Sequence, residues 1–296
     1  MNYLATWSFE PWFRAPSTHW ARTEDMLAIA WASLESQHRY CAQPRVYTDT
    51  LGRDVLRELY PLADYVVCLD GFFDQYSTEL FALAKIQTYS DQTLSYCHVD
   101  LDWIWHQPPQ PSWSNLDLVV HGWEALDTAK YEQGQRRYYN LEARRPYLKL
   151  PSLLHHPDPR SIPAPNMGCV YMQNMTLNRQ YCDLVSQVMA LNPQEFAPGR
   201  PPHSLNICTL EQHFLGFVID ADPDLRCDVV FPRVPGRPRV PVNEQATHFV
   251  GEMKGNRYPG PQYYRDELVR PYLTSGVVQR LAQDLETEKQ ALATRC

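Results

Sequence analysis

Long apolar runs are missing from this chain of 296 residues. Leu27-Ala28-Ile29-Ala30-Trp31-Ala32 is typical of the runs it has, and Glu35 follows soon after. A membrane span needs about 20 consecutive apolar residues, so none is expected. Met1-Asn2-Tyr3-Leu4 has neither the charged nor the apolar region of a signal peptide. A cytoplasmic location is therefore expected. Runs of Lys or Arg are also lacking, and the net charge is −7. No nucleic-acid groove is expected, and an anionic nucleotide would need a metal or a local basic patch. None of the 8 cysteines forms a C-x-x-C pair, which argues against a zinc ribbon. Cys68, Cys97 and Cys169 lie in apolar runs, where a free thiol acts as a small hydrophobe. No internal repeat and no clear linker divides the chain.

What is present is an ordinary globular balance, with 44% hydrophobic and 21% charged residues. Residues 3–8 read as a buried first strand, and Ser17 as the cap of a helix running to about Arg39. Arg45-Val46-Tyr47-Thr48 is a second strand, ending at Asp49, with Thr50 opening a helix. Tyr65-Val66-Val67-Cys68-Leu69 is a third strand. Ser77 is placed as the cap of a helix over Glu79–Tyr89. Tyr96-Cys97-His98-Val99 is a fourth strand, ending in Asp100-Leu101-Asp102. Strands alternating with helices predict an α/β fold with a mostly parallel central sheet flanked by helices. Ligands of such sheets bind beyond the carboxyl ends of the strands, where Asp49, Asp100 and Asp102 fall. Asp49 there either holds a ribose or only caps the helix after it.

The second half is less regular. Leu118-Val119-Val120-His121, Gly168-Cys169-Val170-Tyr171-Met172 and Cys227–Phe231 read as strands. Asn178–Leu191, Thr209–Phe217 and about Ser275–Ala293 read as helices. One domain over 1–296 is expected. Residues 1–107 form its nucleotide-binding half, 108–260 its acceptor and catalytic half, and 261–296 its terminal helices.

Two constellations carry chemistry. A strand-end D-x-D offers the hard carboxylate oxygens that Mg2+ or Mn2+ prefers, with positions left for phosphate oxygens. Asp220-Ala221-Asp222 and Asp222-Pro223-Asp224 share the spacing, and the first also follows an apolar run, so spacing alone separates them poorly. The second constellation is His248-Phe249-Val250-Gly251-Glu252-Met253-Lys254. It supplies an imidazole ligand, a glycine that lets backbone approach a diphosphate and an ammonium. Alone, it also reads as a short strand, a turn and a surface lysine.

Taken in order, a strand-end D-x-D followed far downstream by H-F-x-G-x-x-K resembles the GT-A glycosyltransferases, most closely glycosyltransferase family eight, the glycogenin-like enzymes. The resemblance implies a single GT-A-like domain in which Asp100, Asp102 and His248 bind Mn2+ (or Mg2+), and Gly251 and Lys254 touch the diphosphate. Asn166-Met167-Gly168 is similar to the family's N-x-G segment beside the sugar. Lys85 stands where a donor-binding basic residue is common. Glu211-Gln212 is similar to the Asp-Gln pair near the anomeric carbon and is the expected catalytic pair. Trp7, at the end of the first strand, replaces a Thr-rich turn and is placed with Asp49 on the donor side. Gly255-Asn256 stands where the family has Pro-Trp.

The implied activity is transfer of a sugar from a nucleoside-diphosphate sugar, a UDP-sugar in the family, to an unknown acceptor with retention. Two other readings use the same aspartates. One is a degenerate fold that binds nucleotide or glycan without turnover. The other is a metal-dependent phosphoester enzyme.

Overall fold

The structure, a computed structural model, describes residues 2–9, 22–124, 148–155, 164–199, 209–232, 242–249 and 267–293, with the single residues 11, 20 and 162. It is a mixed α/β fold with a mostly parallel central sheet and flanking helices. The chain folds as two compact units. One holds Asn2–Asp70, His98–Gln110 and Arg237–Cys296, and the other holds Gly71–Cys97 and Pro111–Gly236.

In the first of these, β1 (Asn2–Trp7), β2 (Arg45–Thr48) and β3 (Asp64–Val67) run parallel in the order β3-β2-β1. Leu4 lies opposite Arg45, and Trp7 lies opposite Thr48. Helices α1 (Thr23–Tyr40) and α2 (Thr50–Leu59) make the connections. Ala5, Ile29, Leu34, Val46 and Leu56 are buried together. The carboxyl end of β2 is set by local chemistry. Asp49 caps α2, its Oδ1 accepting the Gly52 N–H at 2.6 Å, and its Oδ2 accepts Phe9 N–H at 3.0 Å and Ser8 Oγ–H at 2.5 Å. A cap of this kind contributes about 1 kcal/mol. Gly52 is required by space, since a Cβ there would stand 2.0 Å from Thr48 Oγ1. Helix α8 (Gly276–Ala293) buries Val278, Leu281 and Leu285 in the same core.

The second unit is built on β6 (Leu118–Glu124) and β7 (Ala164–Met172), which are antiparallel, with β8 (Cys227–Val229) parallel to β6. The register of β6 and β7 shifts between Val120 and Gly122, so that Gly122 lies opposite Asn166. Around these strands lie α3 (Phe72–Gln75), α4 (Leu83–Ser90), α5 (Met175–Leu191), α6 (Pro193–Phe196) and α7 (Phe214–Asp220). Asn174 caps α5 by accepting the Thr176 and Leu177 N–H groups. The strand β4 (Tyr96–Val99) carries the chain from this unit into the other.

Three local expectations change. Helix α1 begins at Thr23, and Ser17 lies outside the described residues. The segment after Ser77 divides into a 3-10 turn, Thr78–Leu80, and then α4; Ser77 makes no side-chain cap, and its N–H donates to the Phe196 carbonyl at 2.9 Å. Cys68 is exposed, one residue past the end of β3, the last strand in the order on that side of the sheet. Cys97 and Cys169 are buried as expected.

Candidate functional site

The aspartates stand where β4 runs out. After Val99 the chain turns tightly, with Trp103 N–H on the Asp100 carbonyl at 2.9 Å. It then enters β5 (Trp103–Trp105), which pairs antiparallel with β9 (Ala246–His248). The register sets His248 opposite Trp103, and Phe249 N–H donates to the Asp102 carbonyl at 2.9 Å. A backbone ladder therefore brings together residues 146 positions apart. His248 Nε2 lies 3.0 Å from Asp102 Oδ1 and 3.9 Å from Asp100 Oδ2. Asp102 and His248 are buried, Asp100 half-buried, and the Trp103 ring lies 5.5 Å from the imidazole.

One ligand atom from each of these three side chains lies within 4.8 Å of the others. Around an ion bound at about 2.1 Å, adjacent ligand atoms sit about 3 Å apart, so these spacings suit a shared cation. The donor set of two carboxylates and an imidazole suits Mn2+ and Mg2+ better than a soft metal. Two carboxylates held this close repel each other, and a cation relieves that repulsion. Asp220, Asp222 and Asp224 compare poorly. They are exposed at the end of α7 and in the turn beyond it, and among the described residues they join no such group.

The other unit assembles a second polar group of its own, around residues 166–168 of β7. Lys85, on α4, donates from Nζ to the Met167 carbonyl at 3.2 Å and forms an ion pair with Glu211. Both side chains are about nine-tenths buried. Glu211 sits in a π-helical turn, Thr209–His213, that leads into α7. Thr209–Phe217 therefore starts with hydrogen bonds one residue longer in step than those of the predicted α-helix. Asn166 Oδ1 accepts the Gly168 N–H at 3.0 Å and meets His121 Nδ1 at 2.5 Å. The register shift at His121 turns that ring toward Asn166, a common effect of a β-bulge. The Tyr181 hydroxyl is hydrogen-bonded to the carbonyls of Leu210 and Glu211. Burial pushes the Tyr181 phenol well up, so it stays a neutral donor.

The predicted site residues thus fall into groups. Asp100, Asp102 and His248 converge, and Lys85, Glu211, Asn166 and Gly168 gather along one strand. Trp7 ends β1, its ring edge-on to Phe9 at 5.6 Å, and Asp49 caps α2. Gln212 is half-buried beside Glu211. Gly251 and Lys254 lie outside the described residues. His121 and Tyr181 escaped the sequence reading. His121 does carry a signal, an imidazole directly after an apolar strand run, but nothing local marks Tyr181.

Residues 7–257 match a family model described as a family of unknown function, DUF6734. The chain belongs to DUF6734. No curated protein matches this DUF6734 chain in sequence. Its fold is similar to that of galactosyltransferase LgtC, solved in complex with donor and acceptor sugar analogs, at 10% identity, with a TM-score of 0.51 and coverage of 93% of this chain and 97% of that one. An active-site variant of LgtC matches at 10% identity and a TM-score of 0.48, with 93% and 97% covered. Mouse xyloside xylosyltransferase 1, in its apo form, matches at 11% identity and a TM-score of 0.42, with 77% and 84% covered. The likeness to LgtC shows a shared fold of the GT-A type. Among the described residues no helix is long and apolar enough to cross a membrane.

Proposed function

We propose that this DUF6734 chain is a glycosyltransferase of the family-eight kind, moving a sugar with retention from a UDP-sugar to an acceptor of unknown class. The observation that supports it most is the convergence of Asp100, Asp102 and His248, with ligand atoms within 4.8 Å, at a strand end of a GT-A-type fold. In this reading the three side chains hold Mn2+ or Mg2+. The bound ion would neutralise charge on the departing diphosphate. Lys254 adds a positive charge to the diphosphate, and Gly251 lets backbone approach it. Trp7 and Asp49 bind on the nucleoside side, and Lys85, Asn166 and Gly168 on the sugar side. Glu211 and Gln212 stabilise the oxocarbenium-like anomeric carbon as its bond to the diphosphate oxygen breaks. The acceptor oxygen forms the new bond, and its proton leaves on the diphosphate.

Lys85 and Glu211 favour this division of labour because each limits the other's freedom. A carboxylate already fixed by its partner needs no reorganisation as the cation develops, which is what electrostatic stabilisation requires.

A panel of nucleotide sugars tests the reading. With Mn2+ present, at least one donor should release UDP, EDTA should reduce release to background, and added Mn2+ should restore it. Calorimetric binding of UDP with Mn2+, but no release from any donor, would favour a binding protein that has lost catalysis. Release of phosphate from simple esters would favour the phosphoester reading.

A further inference from the structure

We propose that Tyr181 is a positioning residue: its hydroxyl holds the turn Thr209–His213 in the π register that sets Glu211 against Lys85. The inference rests on the reading above for its catalytic consequence. Its structural half stands on contacts within one unit.

A π turn closes i→i+5 bonds and so carries one extra residue, a register rare enough to call for outside support. That support falls on the carbonyls of Leu210 and Glu211. The Tyr181 hydroxyl lies 3.2 Å from the first and 2.9 Å from the second, and the side chain is completely buried on α5. One turn earlier on the same helix, Asn178 donates from Nδ2 to the Tyr89 carbonyl at 2.9 Å and accepts the Tyr96 hydroxyl at 2.8 Å. Tyr89 belongs to α4, the helix that carries Lys85. Helix α5 is therefore tied to both partners of the ion pair, to the lysine's helix through Asn178 and to the glutamate's turn through Tyr181. Register matters here because one residue of slip rotates a helical side chain by about 100°. Relaxation of the π turn to α would carry Glu211 off Lys85 and bring a neighbour round in its place. Packing alone needs only the ring, which Phe supplies equally well, so the hydroxyl separates the two roles.

The test compares Tyr181→Phe, Glu211→Gln and the double variant in the UDP-release assay. It also follows amide exchange over residues 209–214 in the free protein. Tyr181→Phe should lower kcat at least tenfold with little change in the donor KM. The double variant should turn over no more slowly than Glu211→Gln alone, because the effect passes through Glu211. Exchange should change at 209–214 and remain as in the parent elsewhere. Parental kcat, or losses that multiply in the double variant, would overturn the proposal. Exchange that is unchanged at 209–214, or raised across the whole unit, would overturn it as well. If the parent protein released UDP from no donor, the glycosyltransferase reading would fail first. The exchange result alone would then decide the role of Tyr181.

Discussion

Replacing Asp102 with Asn should abolish metal-dependent UDP release while leaving the fold intact. The two effects separate because of what Asn keeps. Its Oδ1 still accepts a hydrogen bond from His248 Nε2, which lies 3.0 Å from the present Oδ1. The strand pairing through Phe249 N–H uses the main-chain carbonyl of residue 102 and is untouched. What Asn loses is the charge. A cation in the cluster would then face one carboxylate, one imidazole and a neutral amide. Loss of electrostatic stabilisation of this kind typically lowers turnover about 10²–10³-fold. Thermal unfolding checks the separation independently. Mn2+ that binds only the native state raises the melting temperature, so the parent should gain stability with added Mn2+ and Asp102→Asn should not. Without metal, the variant should melt no lower than the parent, since it is relieved of one carboxylate's repulsion. A variant that still gained stability with Mn2+ would remove Asp102 from the metal site.

Lys85→Met should be costly in a different way. Methionine nearly matches the volume of lysine but leaves the Glu211 carboxylate, 10% exposed, without its ammonium. Breaking a buried pair from one side costs about 3–5 kcal/mol, whereas replacing both partners with neutral groups is often close to neutral. Urea unfolding should therefore show a large loss for Lys85→Met. Most of that loss should be recovered in Lys85→Met combined with Glu211→Gln. Donor turnover should stay low in both, because Lys85→Met removes the ammonium that holds Glu211 in place and the double variant removes the carboxylate as well. Equal stability of Lys85→Met and the parent would mean that the ion pair contributes nothing to this unit.

These residues differ in how far the sequence announced them. Asp49 was legible in place but not in role: strand end, Asp and helix start are all local, and they fitted a helix cap and a ribose contact equally, of which the structure shows the cap. Asp100 and Asp102 were half legible. The strand before them is plain, but Asp220-Ala221-Asp222 has the same spacing after an equally apolar run. The order of motifs in the resemblance favoured the first pair, and the fold separates the two physically, since one run is a strand at the sheet and the other is α7. His248 came from resemblance alone. Its place beside Asp102 is made by the β5–β9 register, a pairing between two three-residue strands, and so short a strand has too few alternations to fix a partner. The π turn at Glu211 was read as ordinary helix. Periodicity over 209–217 fits a helix, and the extra residue in its first turn is stabilised by a tyrosine almost thirty positions away. Buried polar ties of that kind leave no period in the sequence.

The central claim is that two aspartates and a distant histidine share one cation, and diffraction at the manganese edge tests it most directly. Crystals grown with Mn2+ and UDP should show an anomalous peak at about 2.0–2.4 Å from oxygens of Asp100 and Asp102 and from Nε2 of His248. Absence of any peak among these three side chains, with manganese bound elsewhere or not at all, would contradict it.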